Sequence, residues 1–307
     1  MLYDFAVELT NHTCPRCHFV GTSAVECPNC GIIFQKYVAP EAGPPHEIPL
    51  AQETFPQRGV SAPFPWIEVL AVPSAFVLAA ISKFLILPAI VFEACKIWIH
   101  EFGHALIAWL GGYAATPLGI GWTNFNPDRS YFVYSCVLFL LGVVAYNGVR
   151  QRAFFLTASA VFLFMLQIHF TFVSSQDRWN IAFTWSGVGG QLILSAWMVA
   201  AFHYHFPDKL RWDFLRYLVL AVGAYCFLTT LKQWIDISHH RASIPWGTLL
   251  HGEEDAGGDM NQLLDQWGWL RSELIRSYVR TGTICLLLTA CNYTFFFGKA
   301  IWHAVRK

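Results

Sequence analysis

The sequence predicts an all-α, polytopic membrane protein of about six or seven transmembrane helices, with a small separate unit at its N-terminus. Two observations lead there. Of 307 residues, 55% are hydrophobic and only 13% charged, whereas a soluble globular chain carries about 25% charged residues. The mean hydropathy is +0.41. The chain also contains repeated apolar stretches near the roughly 20 residues needed to cross the hydrocarbon. The candidates are Val69–Ile90, Val91–Leu110, Tyr131–Tyr146, Phe154–Phe172, Ile181–Tyr204, Phe214–Leu231 and Thr283–Trp302. The lipid bilayer is therefore the expected surroundings. With 20 basic and 20 acidic residues the net charge is zero, so no nucleic-acid partner is indicated.

The first 37 residues read differently. The stretch "CPRCHFVGTSAVECPNCG" sets Cys14, Cys17, Cys27 and Cys30 as two Cys-x-x-Cys knuckles. That spacing lets four thiolates converge on one structural zinc ion, with Gly31 permitting a tight turn after the second pair. Two disulfides in an oxidising compartment are the alternative. A reduced zinc ribbon points this end towards the cytosol. Residues 38–66 are Pro-rich and aperiodic, a linker. No apolar signal-peptide core is evident in the first 60 residues. The remaining cysteines (Cys95, Cys136, Cys226, Cys285, Cys291) are expected to serve as small apolar residues. Trp66 and Trp179, near span ends, suit interfacial belts.

Residues 67–307 form the membrane domain, including a polar loop at 232–280. Within it, "IWIHEFGHALIAWLGG" carries the pattern His-Glu-x-x-His on an apolar helix. His100 and His104, four residues apart, share one helix face and present two imidazoles to one metal. Glu101, turned by about 100°, stands beside that metal instead of on it. There it is placed to take a proton from a metal-activated water and to pass it to a leaving amine. Glu93 and Lys96 extend the polar stripe, Trp98, Phe102 and Trp109 face away, and Gly111-Gly112 ends the helix. A chance match, or histidines hydrogen-bonding to neighbouring helices, would be the plainer explanation. Three ionisable residues in one span are expensive, however, and favour function.

The motif "HEFGHALIAWLGG" and the following "YAATPLGIGWTNFNP" resemble the site-2 protease family of intramembrane zinc metalloproteases, whose core includes a short hairpin or re-entrant segment. The small-residue stretch "SGVGGQLILSAW" at Ser186–Trp197 is a weaker likeness to a Gly-rich core helix of that family. The resemblance implies a zinc-dependent intramembrane endopeptidase that cleaves membrane-anchored proteins, with Glu101 activating a zinc-bound water. It implies one catalytic zinc besides the structural one. A non-catalytic zinc scaffold, sensor or transporter is the competing class.

The family's third ligand, an aspartate in an Asn-Pro-Asp-Gly or Leu-Asp-Gly setting on a later span, has no counterpart here. Asp259, after Gly257-Gly258, is the favoured substitute; a helix N-cap is its ordinary reading. Asp128, in Asn-Pro-Asp, is the alternative, and a turn is its ordinary reading. His169, Asp236, His239 and His240 remain open. The acidic loop around His251, Glu253, Glu254 and Asp255 reads as a solvated loop, with a lid or second metal site as the alternatives.

Overall fold

The computed structural model describes residues 12–21, 25–31, 33, 65–204, 206, 214–247 and 255–306. Residues 38–64 of the expected linker and the acidic-loop residues His251, Glu253 and Glu254 lie outside them, as does the side chain of Trp66. The chain divides into two compact units, Met1–Ser61 and Ala62–Lys307.

In the first unit, β1 (His12–Thr13) pairs antiparallel with β2 (Val20–Gly21) around the first knuckle. An isolated bridge between Glu26 and Ile33 brackets the second. The two knuckles close alike. His18 N–H donates to the Cys14 carbonyl at 2.9 Å, and Gly31 N–H to that of Cys27 at 2.8 Å. Both residues after the knuckles are left-handed, His18 at φ 57° and Gly31 at φ 70°. Glycine adopts that region freely, and histidine pays a steric cost for it.

Among its described residues the second unit is mostly helical, with one strand hairpin. It begins with α1 (Pro65–Ser82) and α2 (Ile86–Leu110). The hairpin is β3 (Tyr113–Leu118) and β4 (Trp122–Arg129). Then follow α3 (Tyr131–Arg150), α4 (Phe154–Ile168), α5 (Gln176–Ala201) and α6 (Leu215–Ser238). A short α7 (Asp259–Asn261) runs into a π-helical turn at Gln262–Gln266, and α8 (Arg271–Val305) closes the chain.

Among the described residues, four helical segments are long and apolar enough to cross a membrane: Tyr131–Arg150, Phe154–Val173, Leu215–Ser238 and Arg271–Trp302. The segments Ile67–Ser82 and Ile86–Leu110 make a fifth if taken as one span bent by 110°. Against the six or seven crossings expected, four or five described segments are thus long and apolar enough to cross. Two expectations account for the difference. The first apolar run is broken at 83–85, well before Ile90, and Pro88 falls in the first turn of α2, where its missing N–H breaks no helical bond. The expected span at Ile181–Tyr204 became α5, which is less apolar than the other spans because Gln191, Thr184, Ser186, Ser195 and the glycines Gly187, Gly189 and Gly190 lower its mean hydropathy.

That same α5 is the centre of the unit. It packs on α2, α6 and α8, and its buried face runs from Trp179 to Ala201. Its contact with α2 depends on paired glycines. A Cβ on Gly103 would lie 2.2 Å from the Ser186 carbonyl oxygen, and one on Gly190 would lie 2.7 Å from the Gly103 Cα. Main chain therefore meets main chain there, bringing the histidine face of α2 against α5.

Trp179 corrects an expectation. It is fully buried instead of sitting in an interfacial belt. Its indole fills the space left by Gly111, donates to the Ile107 carbonyl at 3.3 Å, and lies 4.1 Å from the Tyr113 ring. Gly112, at φ +82°, then turns the chain out of α2 into the hairpin.

Candidate metal centres

The four ribbon cysteines gather within 4.8 Å of one another. Cys14 Sγ and Cys30 Sγ are 3.6 Å apart, as are Cys17 Sγ and Cys27 Sγ. All nine cysteines are free, which removes the disulfide alternative. Tetrahedral zinc with sulfurs about 2.3 Å away sets sulfur–sulfur separations of roughly 3.8 Å, so the cluster fits one ion closely. A backbone hydrogen bond at Phe19, and then the Asn29 amide, draw the Cys17 thiol down to about 6, favouring the thiolate that a metal takes.

The second group lies on α2. His100, His104 and Asp259 are the three, and 155 residues separate the last two. His100 Nε2 is 3.0 Å from Asp259 Oδ2, His104 Nε2 is 3.1 Å from the same oxygen, and the two Nε2 atoms are 3.3 Å apart. A tetrahedral ion with N and O ligands at about 2.0–2.1 Å spaces them by roughly 3.3–3.4 Å. The triangle is near that size, and a tetrahedral ion held by these three would have one position left for a fourth ligand.

Hydrogen bonding shows what these atoms lack. His104 Nδ1 stands 2.7 Å from the Phe183 carbonyl of α5. A carbonyl only accepts, so Nδ1 carries the proton and Nε2 of the neutral ring keeps its lone pair. That lone pair faces a carboxylate oxygen and another imidazole nitrogen. With His100 Nε2 unprotonated as well, the three atoms would all be acceptors around one cation, and that donor set suits zinc. With no ion between them, burial would raise the Asp259 carboxyl, but protonated His104 and then His100 outweigh it and hold it well below the usual carboxylate range.

Asp259 arrives by a route that explains the glycine immediately before it. The chain returns from α6 so that Gly247 and Gly258 touch, with a Cβ on either only 2.7 Å from the other's Cα. Gly247 N–H also donates to the Asn261 side chain at 3.0 Å. Gly258 holds the N-cap position of α7, and no side chain caps it. The capping role considered for Asp259 is therefore absent.

Asp128 does not join the group. It is exposed near the end of β4, where Tyr113 pairs with Arg129 beyond the C-terminus of α2, more than a helical turn past His104. The turn expected there is instead strand, with Asp128 N–H donating to Asn126 Oδ1 at 3.0 Å. Asp236 pairs with Lys232, and His239 Nδ1 bonds the Ile235 carbonyl at 2.9 Å.

Glu101 is buried. Its Oε2 accepts from Thr123 Oγ1 at 2.6 Å, and the same hydroxyl lies 3.0 Å from the Glu101 carbonyl. Thr123 sits on β4, paired with Pro117. Nothing in the sequence singled it out. The same is true of Gly187, although the Gly-rich stretch around it was noted. A Cβ on Gly187 would stand 2.5 Å from the Nε2 atoms of both His100 and His104. Gly187→Ala is accordingly expected to displace the imidazoles and empty this centre, with overpacking of about 1–3 kcal/mol. Metal analysis should show the ribbon ion retained.

No family model, curated protein or solved structure matches the chain.

Proposed function

We propose that the chain is a zinc-dependent endopeptidase of the membrane, similar in its site to the site-2 proteases, acting on membrane-anchored proteins. The observation supporting this reading is the meeting of two imidazole nitrogens and one carboxylate oxygen within 3.0–3.3 Å, on the helix that also carries the buried Glu101. Zinc bound there supplies Lewis acidity to a carbonyl and lowers the pKa of a water towards about 7.

The chain's own residues supply the rest. His100, His104 and Asp259 fix the ion and leave one side open. Phe183 orients the His104 ring, as second-shell carbonyls do. Glu101 takes a proton at its carboxylate and returns it to the departing amine. Thr123 holds that carboxylate by one oxygen, leaving the other for proton transfer. An ion that served only as scaffold would have no use for a buried carboxylate beside it. The ribbon, in this reading, is a structural zinc unit facing a reducing compartment.

The test uses the full chain in bilayers with a single-span reporter protein. Cleavage that a chelator stops and zinc restores is the predicted outcome; chelator-resistant cleavage would refute metal-dependent peptidase activity. In the same assay Thr123→Val is expected to lower the rate by roughly 10–100-fold, the scale of outer-shell losses. Thr123→Ser keeps the hydroxyl and should restore the rate, with metal content unchanged throughout.

A further inference from the structure

Beside the α1–α2 elbow, a cavity of about 300 Å³ opens between α2 and the C-terminal half of α6. Three lysines from three segments line it: Lys83 from the elbow, Lys96 from α2 and Lys232 from α6. Two carboxylates, Glu93 and Asp236, face them, so one positive charge is left over. Asp236 is taken by Lys232. Glu93 stands 3.8 Å from Lys96 and accepts from the Tyr225 hydroxyl at 2.8 Å. Lys83 pairs with no carboxylate among the described residues. The Lys96 side chain is only 15% exposed. An ammonium so placed loses hydration that its distant partner only partly replaces.

We propose that this cavity binds the phosphate of an anionic phospholipid. The lysines supply the charge. What selects a lipid over a free phosphate is the surface next to Lys83. Phe84, Ile86 and Leu87 follow it on the elbow and are all strongly exposed. Acyl chains can lie along that apolar surface while the headgroup reaches inward. Basic pockets between spans bind such headgroups, and lysine stems bridge the two environments. The residues concerned lie outside both metal centres, so the site stands or falls independently of the peptidase reading.

Native mass spectrometry of the full, delipidated chain in detergent tests this, with phosphatidylglycerol, phosphatidylcholine and inorganic phosphate as separate probes. One phosphatidylglycerol should bind in preference to phosphatidylcholine. The double variant Lys83→Gln with Lys232→Gln should weaken it roughly thirtyfold, from the contribution of each basic residue at a lipid surface. Lys83→Arg with Lys232→Arg should keep it, which separates loss of charge from loss of fold. Equal binding of the two lipids, an unchanged affinity in the glutamine variant, or inorganic phosphate binding as tightly as the lipid would each overturn the proposal.

Discussion

Glu101→Gln is expected to lower cleavage of a membrane-anchored substrate by at least about 10²–10⁴-fold, the usual contribution of a positioned general base. Its metal content should not change. Glutamine has nearly the same shape, and its amide oxygen still accepts from Thr123, so the contact between α2 and β4 survives. What disappears is the ability to carry a proton. Both imidazoles and Asp259 are untouched. Single-turnover rates on the purified variant, alongside zinc analysis, separate these effects. Full activity in this variant would remove Glu101 from the mechanism and favour a non-catalytic zinc protein.

Asp259→Ala removes one of three ligating groups. Zinc affinity at the α2 centre is expected to fall by more than the roughly 10–100-fold that losing an outer-shell partner costs. Asp259→Ser should do the same, although serine suits helix starts well. Because Gly258 already occupies the N-cap position and Asp259 makes no capping bond, the serine variant tests ligation without repairing a cap. Asp128→Ala is the control, exposed on β4 and expected to bind zinc normally. Isothermal titration with zinc on protein whose ribbon is already loaded reads all three variants.

How far the sequence announced these features depended on distance along the chain. Local periodicity was enough for His100, Glu101 and His104, because a helix turns residues four apart onto one face. Local spacing also marked Cys14, Cys17, Cys27 and Cys30. The stretch "SGVGG" was legible only as a likeness to a Gly-rich core helix, and Gly187 and Gly190 lie against the histidines and Gly103. Asp259 was one candidate among several, since its place depends on a long return from α6 and on the contact of Gly247 with Gly258. Thr123 was invisible: a threonine in a strand has no signature, and only the hairpin register brings it to Glu101. The elbow at 83–85 was misplaced because the apolar run resumes immediately after Lys83, from Phe84 to Leu87. Trp179 was misjudged because its chain position near a span end says nothing of the hollow that Gly111 leaves for it.

Zinc counted per purified full chain decides whether the α2 helix holds a metal of its own. Wild type should carry two ions. Cys14→Ser with Cys17→Ser should leave one, and His100→Ala with His104→Ala should leave the other. A single zinc that vanishes with the cysteines and is indifferent to the histidines would rule out the α2 metal centre.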